Sequence, residues 1–181
     1  MTFQPAQVDR KACFGLVANK ETRLLVLGTL PGSVSLARGE YYANPSNQFW
    51  RLLGPVVDRD LRHMPYSARL HALLAGGIGL WDVVASAKRA GSLDSAIRDC
   101  DANSLEAVVA RLPSLRALAF NGGKAFQIGR RVCGDGDVTL VPLPSSSAAY
   151  CAMGFEDKLK RWLRLKRFLA SGLLGDHVAA T

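Results

Sequence analysis

No stretch of the 181-residue chain approaches the ~18–20 consecutive apolar residues that a membrane-spanning helix needs. Met1–Arg10 holds no basic start leading into an apolar core, which predicts no signal peptide and a cytoplasmic protein. Cysteine is scarce: Cys13, Cys100, Cys133 and Cys151 stand far apart and form no C-x-x-C pair. That spacing argues against a zinc knuckle and against an iron–sulfur cluster; buried free thiols are expected instead. His63, His71 and His177 match no metal-ligand spacing, so neither a metal nor a cofactor is expected. The chain shows no internal repeat and no low-complexity segment. It also lacks G-x-G-x-x-G and G-x-S-x-G. Gly122-Gly123-Lys124 resembles the end of a phosphate loop, but the motif's first Gly would fall on Leu118 and its Ser/Thr on Ala125.

What is present is ordinary in amount except for charge. Apolar residues make up 49% and charged residues 21%, values of a globular protein of one domain at this length. Lys and Arg number 23 against 15 Asp and Glu, a net charge of +8, and sixteen of the basic residues are Arg. Planar guanidinium groups suit phosphate recognition, so a polyanionic partner is one explanation.

Strand and helix signals alternate along the chain. Arg23–Gly28, Gly79–Val84, Arg116–Phe120 and Val138–Val141 are short apolar runs that read as buried strands. Thr29–Pro45 is rich in Gly, Pro and Ser and reads as a long loop. Helices are expected over Asn47–Leu53, with Ser46 as cap, and over Pro65–Leu74. A third is expected over Ser104–Leu112, where Asn103 and Glu106 would form a capping box. Others follow Asn121–Lys124, running to Val132, and span Phe155–Ala170, with Leu159, Trp162, Leu163, Lys166 and Leu169 on one stripe. Ser171–Thr181 reads as a frayed tail. The pattern predicts an α/β three-layer sandwich: a central, mainly parallel four-stranded sheet with helices on both faces. Ligands bind such sheets at the carboxyl ends of the strands, where Thr29–Pro45, Asn121–Lys124 and Pro142–Tyr150 should gather.

The informative stretches are Gly28-Thr-Leu-Pro-Gly-Ser33 and Tyr41-Tyr-Ala-Asn-Pro-Ser-Asn-Gln-Phe-Trp50. Glycines let a ligand approach the backbone closely, and the Tyr pair offers flat faces for stacking. Asn47 brings one acceptor and two donors on a short side chain, or else caps the helix that follows. Phe49 and Trp50 read better as core. Ser145, Ser146 and Ser147 read better as hydrogen-bond donors in a backbone-contacting loop than as nucleophiles. Asn121 either reads a ligand edge or shapes a turn. Asp82 reads as a cap or network residue.

Together, GTLPGSVSL, EYYANPSNQFW, GLWDVVASAKRAGSLDSAIRD, FNGGKA and LPSSSAAY resemble the uracil-DNA glycosylase superfamily, above all its hypoxanthine-DNA glycosylase family. The likeness spans residues 23–169. It departs from other branches at three places. Leu30 stands where the mismatch-specific branch has a polar, water-activating residue. Leu143 stands where the commonest branch has a His. Ser147, Ala148 and Ala149 are small where a bulky wedge is usual, leaving Tyr150 as its candidate.

The resemblance implies a monofunctional glycosylase that flips a deaminated base, hypoxanthine, out of double-stranded DNA and hydrolyses its N-glycosidic bond. It implies Asn47 as the catalytic, water-holding residue and Tyr42 as the stacking aromatic. Gly28, Thr29, Leu30 and Asn121 would line the base pocket. Gly32, Ser33, Pro144, Ser145, Ser146, Ser147 and Tyr150 would contact DNA. The basic residues of the last helix, Lys158 to Arg167, would take phosphates, and a monomer would suffice. The alternatives are a uracil or mismatch glycosylase and a module that binds damaged DNA without cleaving it.

Overall fold

A computed structural model of the chain describes residues 10–133 and 136–170. The predicted tail, Ser171–Thr181, lies outside them. Its strands are β1 (Arg10–Ala12), β2 (Leu24–Gly28), β3 (Ile78–Asp82), β4 (Val84–Arg89), β5 (Ile97–Ala102), β6 (Ala117–Asn121) and β7 (Thr139–Leu143). Its helices are α1 (Ser33–Arg38), α2 (Phe49–Leu53), α3 (Tyr66–Ala75), α4 (Leu105–Arg111), α5 (Gly123–Val132), α6 (Phe155–Leu163) and α7 (Lys166–Leu169).

The central sheet has the order β3-β2-β6-β7, and every pairing in it is parallel. An inner parallel strand is covered on both faces and therefore needs an unbroken apolar run. Leu24-Leu-Val-Leu27 supplies one, and all four side chains are fully buried. Leu24 and Val26 enter a core with Phe49, Leu52, Leu73 and Trp162, from α2, α3 and α6. Leu25 and Leu27 enter a second core with Leu105, Val108 and Ala125, from α4 and α5. The three layers expected from the sequence are thus present.

A second sheet lies beyond what the sequence pattern predicts. β1, β4 and β5 form an antiparallel ribbon in the order β1-β4-β5. Val84, Ala87 and Ile97 dock it on the second core. The run expected as one strand, Gly79–Val84, is therefore divided: β3 stops at Asp82 and the chain enters the ribbon at Val84.

Four local expectations also change. Thr29–Pro45 contains α1, closed at its end by Gly39 in the left-handed region (φ 65°). Ser46 does not cap α2; its hydroxyl donates to Asn44 Oδ1, and the helix starts at Phe49. The capping box is absent, because Asn103 donates its amide to the Asp82 carbonyl and Ser104 occupies the cap position. The last helix breaks after Leu163. Tight bonds from the N–H groups of Arg164 and Leu165 to the carbonyls of Arg161 and Trp162 turn Leu165 into the core beside Trp162. The thiols are free, yet Cys100 and Cys151 are exposed and Cys13 and Cys133 half-buried, so the expected burial does not hold.

Helix α5 lies close on β6 because position 129 has no side chain. A Cβ there would sit 2.0 Å from the Phe120 ring. Gly129→Ala gains helix propensity of about 1 kcal/mol at most but overpacks a buried contact, which typically costs about 1–3 kcal/mol. The variant should be less stable, seen as a lower midpoint in urea unfolding without a change in slope.

Candidate active site

The register of the parallel sheet decides which residues meet. Gly28 pairs with Asp82, and Asn121 pairs with Leu143, at the carboxyl ends of the strands. The loops leaving these ends enclose a cavity of about 490 Å³, within the size range of small-molecule sites. Gly28, Thr29, Leu30, Gly32, Tyr42, Asn47, Asn121, Ser145, Ser147 and Tyr150 all line it. One wall comes from a segment that sequence reasoning does not assign to a site, Ser92–Ser95 between β4 and β5.

Gly28 is required at the floor. A Cβ there would lie 2.6 Å from Asp82 Oδ1 and 2.9 Å from the Tyr42 hydroxyl. The next residues are held from behind by Arg89, which donates to the carbonyls of Leu30 (3.0 Å) and Pro31. The guanidinium is buried. The Leu30 side chain is buried in the second core, so its contribution to the cavity wall is small and apolar.

The Asn44–Asn47 turn fixes Asn47. Its backbone N–H donates to the Asn44 carbonyl (2.9 Å), and its Oδ1 accepts from the Phe49 N–H (3.0 Å). Asn47 therefore does serve the helix start. One lone pair of Oδ1 and the amide group remain for the cavity. Tyr41 and Tyr42 diverge. Tyr41 is core, edge-on to Phe14, whereas Tyr42 stacks on Phe49 with centroids 3.5 Å apart and planes 7° from parallel. Tyr42 holds a positive φ of 54°, a strained conformation for an aromatic residue of the kind found at functional sites.

Asn121 is tied into the late loop. Its Nδ2 donates to Ser146 Oγ and its Oδ1 accepts from the Ser146 N–H, both at 2.8 Å. Gly122, at φ 104°, keeps the backbone clear of Ser145. Ser146 is fully buried by this pairing, and Pro144 is buried with its carbonyl accepting from the Trp162 indole N–H (3.2 Å). Both residues shape the loop; Ser146 also lines the cavity together with Ser145, Ser147 and Tyr150, whereas Pro144 does not.

Two acids complete the floor. Asp94 accepts from the Thr29 hydroxyl (2.7 Å), and burial pushes its carboxyl above the usual range. Asp82 is 3% exposed, and its Oδ2 has no hydrogen-bond partner. Burial pushes it up to about 7, opposed by Tyr41 and the charge of Arg89 and reinforced by Asp94. Burial likewise raises the Tyr42 hydroxyl, which stays neutral. A buried carboxyl titrating near neutrality can donate to or accept from a ligand edge. Sequence alone assigns Asp82 a lesser role; its Gly-Leu-Trp-Asp strand end, in register with Gly28, is the signal that marks it.

Outside the cavity, Arg161, Arg164 and Arg167 of the last helical segment are exposed and, among the described residues, pair with no carboxylate, but two of its lysines are engaged. Lys158 is buried, donating to Gln48 Oε1 and the Tyr150 carbonyl at 3.0 Å each, and Lys166 pairs with Asp58. A polar groove of about 480 Å³ on the other side of the Asn44–Asn47 turn holds Arg38, Arg51, Arg62 and Arg69, with Glu40 the one acid lining it. Among the described residues none of these four arginines pairs with a carboxylate. Arg51 lies over the Phe155 ring (3.6 Å) and Arg69 over Trp50 (5.1 Å), which orients both.

Residues 14–166 match the family model of the Uracil DNA glycosylase superfamily. Two proteins named Hypoxanthine DNA glycosylase are similar over 139 residues. The one from Methanosarcina barkeri is 39% identical, covering 77% of this chain and 88% of its own. The one from Methanosarcina acetivorans is 41% identical, covering 77% and 87%. The solution structure of a Methanosarcina acetivorans protein, described as a candidate uracil DNA glycosylase, superposes with a TM-score of 0.79. It is 36% identical and covers 89% of this chain and 99% of its own.

Asp82 yields a stability test. Its folded pKa, about 7, lies above the usual value of 3.8, so folding favours the protonated form. That contribution is complete below the unfolded value and is lost as pH rises through about 7. Asp82→Asn, which cannot ionise, should raise the melting temperature more at pH 8 than at pH 5, the difference being the equivalent of about 1–3 kcal/mol, because the loss accrues from the unfolded value up to about 7. An equal effect at both pH values would show that Asp82 does not titrate in this range.

Proposed function

The chain belongs to the uracil DNA glycosylase superfamily and is a DNA glycosylase acting on deaminated bases; within that activity we propose that it removes hypoxanthine from double-stranded DNA and leaves an abasic site. The observation that carries this reading is one cavity of about 490 Å³ that unites a backed aromatic ring, Tyr42 on Phe49, with a fixed amide, Asn47.

Chemistry on a base inside a duplex requires the base to leave the stack. The extruded base stacks on Tyr42, whose position Phe49 and the turn around it maintain. The backbone of Gly28, Thr29 and Leu30 forms the floor beneath its edge. Asn47 holds a water on the face of the sugar opposite the base. The C1′–N bond breaks with its electron pair going to the base, water adds to the oxocarbenium-like sugar carbon, and the proton that the water loses ends on the departed base, giving neutral hypoxanthine. The electrophile is already strongly activated at that point, so the water needs placement more than a strong base. The reaction so drawn uses no metal or cofactor. All of the groups named come from one copy of the chain, so a monomer suffices.

Hypoxanthine differs from adenine by a ring N–H donor and a carbonyl acceptor at the edge that a pocket reads. A buried polar floor rejects the wrong pattern because its groups are left unpaired. The arginine groove beyond Asn47 binds phosphates of the same strand, and Gly32, Ser33, Ser145 and Ser147 approach the backbone nearest the flipped nucleotide.

End-labelled duplexes carrying a single hypoxanthine, uracil or normal base, incubated with chelator and then treated with alkali, test the substrate. Breakage at hypoxanthine alone is expected. Breakage chiefly at uracil replaces the substrate, and binding without breakage removes the activity. Asn47→Ala should lose about two orders of magnitude or more in single-turnover rate, as loss of a group that positions the nucleophile does. Its duplex affinity should stay near that of wild type. The double variant Arg38→Ala/Arg62→Ala should weaken binding to all sequences. Its slope of log affinity against log salt should flatten by about two, one for each phosphate no longer neutralised.

A further inference from the structure

The large apolar side chains left exposed among the described residues are Val34, Leu93 and Tyr150, and all three stand at the mouth of the same cavity. Leu93 is the most exposed, at 59%. An exposed leucine on its own is unremarkable; its mounting is not. Its two neighbours in sequence are both anchored. Ser92 Oγ accepts from the Ser33 N–H at 2.9 Å, and Asp94 accepts from the Thr29 hydroxyl at 2.7 Å. The Ala96 N–H donates to the Leu93 carbonyl (3.1 Å), and Lys11 Nζ donates to the Gly91 carbonyl (2.8 Å). The segment is thus pinned on both sides of a leucine whose own side chain points away from any core.

Its place in the fold matters as much. β3 and β7 are the two edges of the central sheet. The late loop leaves β7, while Ser92–Ser95 belongs to the ribbon that the chain enters from β3. Leu93 and the late loop therefore stand on opposite rims of the cavity. Besides Tyr150, the late loop presents Ser145, Ser146, Ser147 and Ala149 to that cavity, none large enough to fill the space of a base. Tyr150 is large, but the Lys158 ammonium lies 5.1 Å from its ring centroid and also binds its carbonyl, which holds it to the protein.

We propose that Leu93 is the wedge that enters the base stack and occupies the gap left by the extruded nucleotide. A gap in a stack collapses unless an apolar group fills it, and leucine is among the side chains that do so. The rigid mounting means that little side-chain or loop ordering has to accompany binding. Leu93 enters from the ribbon side, and the small residues of the late loop close on the backbone opposite.

The inference rests on the glycosylase reading, and the test separates the two. Single-turnover release of hypoxanthine is measured from a duplex and from the same single strand, for wild type, Leu93→Ala and Tyr150→Ala. In parallel, 2-aminopurine placed beside the lesion reports local unstacking when the duplex is bound. Leu93→Ala should lose at least about tenfold in duplex excision, as an unfilled step costs a few kcal/mol. It should keep the single-strand rate and lose most of the 2-aminopurine signal. Being exposed, the residue can be truncated without unfolding the chain. Wild-type duplex behaviour, equal losses on both substrates, or an unchanged 2-aminopurine signal would each overturn the assignment. So would a loss confined to Tyr150→Ala, which would give the role to that residue. A wild-type protein that releases hypoxanthine from neither substrate removes the functional reading instead, and the 2-aminopurine signal still decides the wedge.

Discussion

The site depends on one buried cation. Arg89 sits on the antiparallel ribbon and reaches under the loop that leaves the central strand, where it donates to the carbonyls of Leu30 and Pro31. Those carbonyls turn inward, away from water, and would be costly there without a donor. The guanidinium in turn needs negative charge nearby, and Asp94 and Asp82 supply it. Removing any one member leaves another buried and unpaired, which is why such groups act as a unit. The ribbon is therefore more than an appendage to the sheet: it fixes the backbone that lines the cavity.

A second buried contact joins the other half of the cavity. Asn121 ends β6, and its amide is matched with the backbone and hydroxyl of Ser146. Gln48 extends the chain of contacts, since its N–H donates to the Ser146 carbonyl and its side chain accepts from Lys158. The turn carrying Asn47 and the late loop are thus tied directly to each other. Positioning a water to within a fraction of an ångström calls for this kind of support, because small misplacements cost large factors in rate.

The legible parts of the chain are those where one physical cause dominates. Leu24-Leu-Val-Leu27 is buried on both faces, so its sequence admits little besides an inner strand. Gly28 at a strand end and Asn47 and Tyr42 in loops have residue types set by close approach and turn chemistry, and all three line one cavity. The ribbon escapes notice because β5, Ile-Arg-Asp-Cys-Asp-Ala, buries only Ile97 and shows no alternation. α1 escapes because it is six residues long, begins at a glycine without a side-chain cap and lies in a Gly- and Ser-rich stretch. The basic character of the last helix is visible, but not that Lys158 is consumed inside the protein or that a second set of unpaired arginines lines a groove elsewhere. Charge composition carries no information about pairing, and pairing depends on contacts between residues distant in sequence.

The final arrangement of charge explains an apparent contradiction, that a chain of net charge +8 lines its cavity with two acids. What enters the cavity is a neutral base and the sugar attached to it; the phosphates remain outside. On the proposed reading arginines in the outer groove attract the backbone, and in the interior a cation would favour a phosphate over a base. Acids there do the reverse, because a carboxylate repels a phosphate and accepts from an N–H on a base edge. Two full negative charges would oppose departure of the base as an anion. Asp82, pushed up to about 7 by burial, spends part of its time protonated at neutral pH and so relieves that opposition. Selection of a base over a phosphate and tolerance of a departing anion are thus both served by a carboxyl whose charge burial has made conditional.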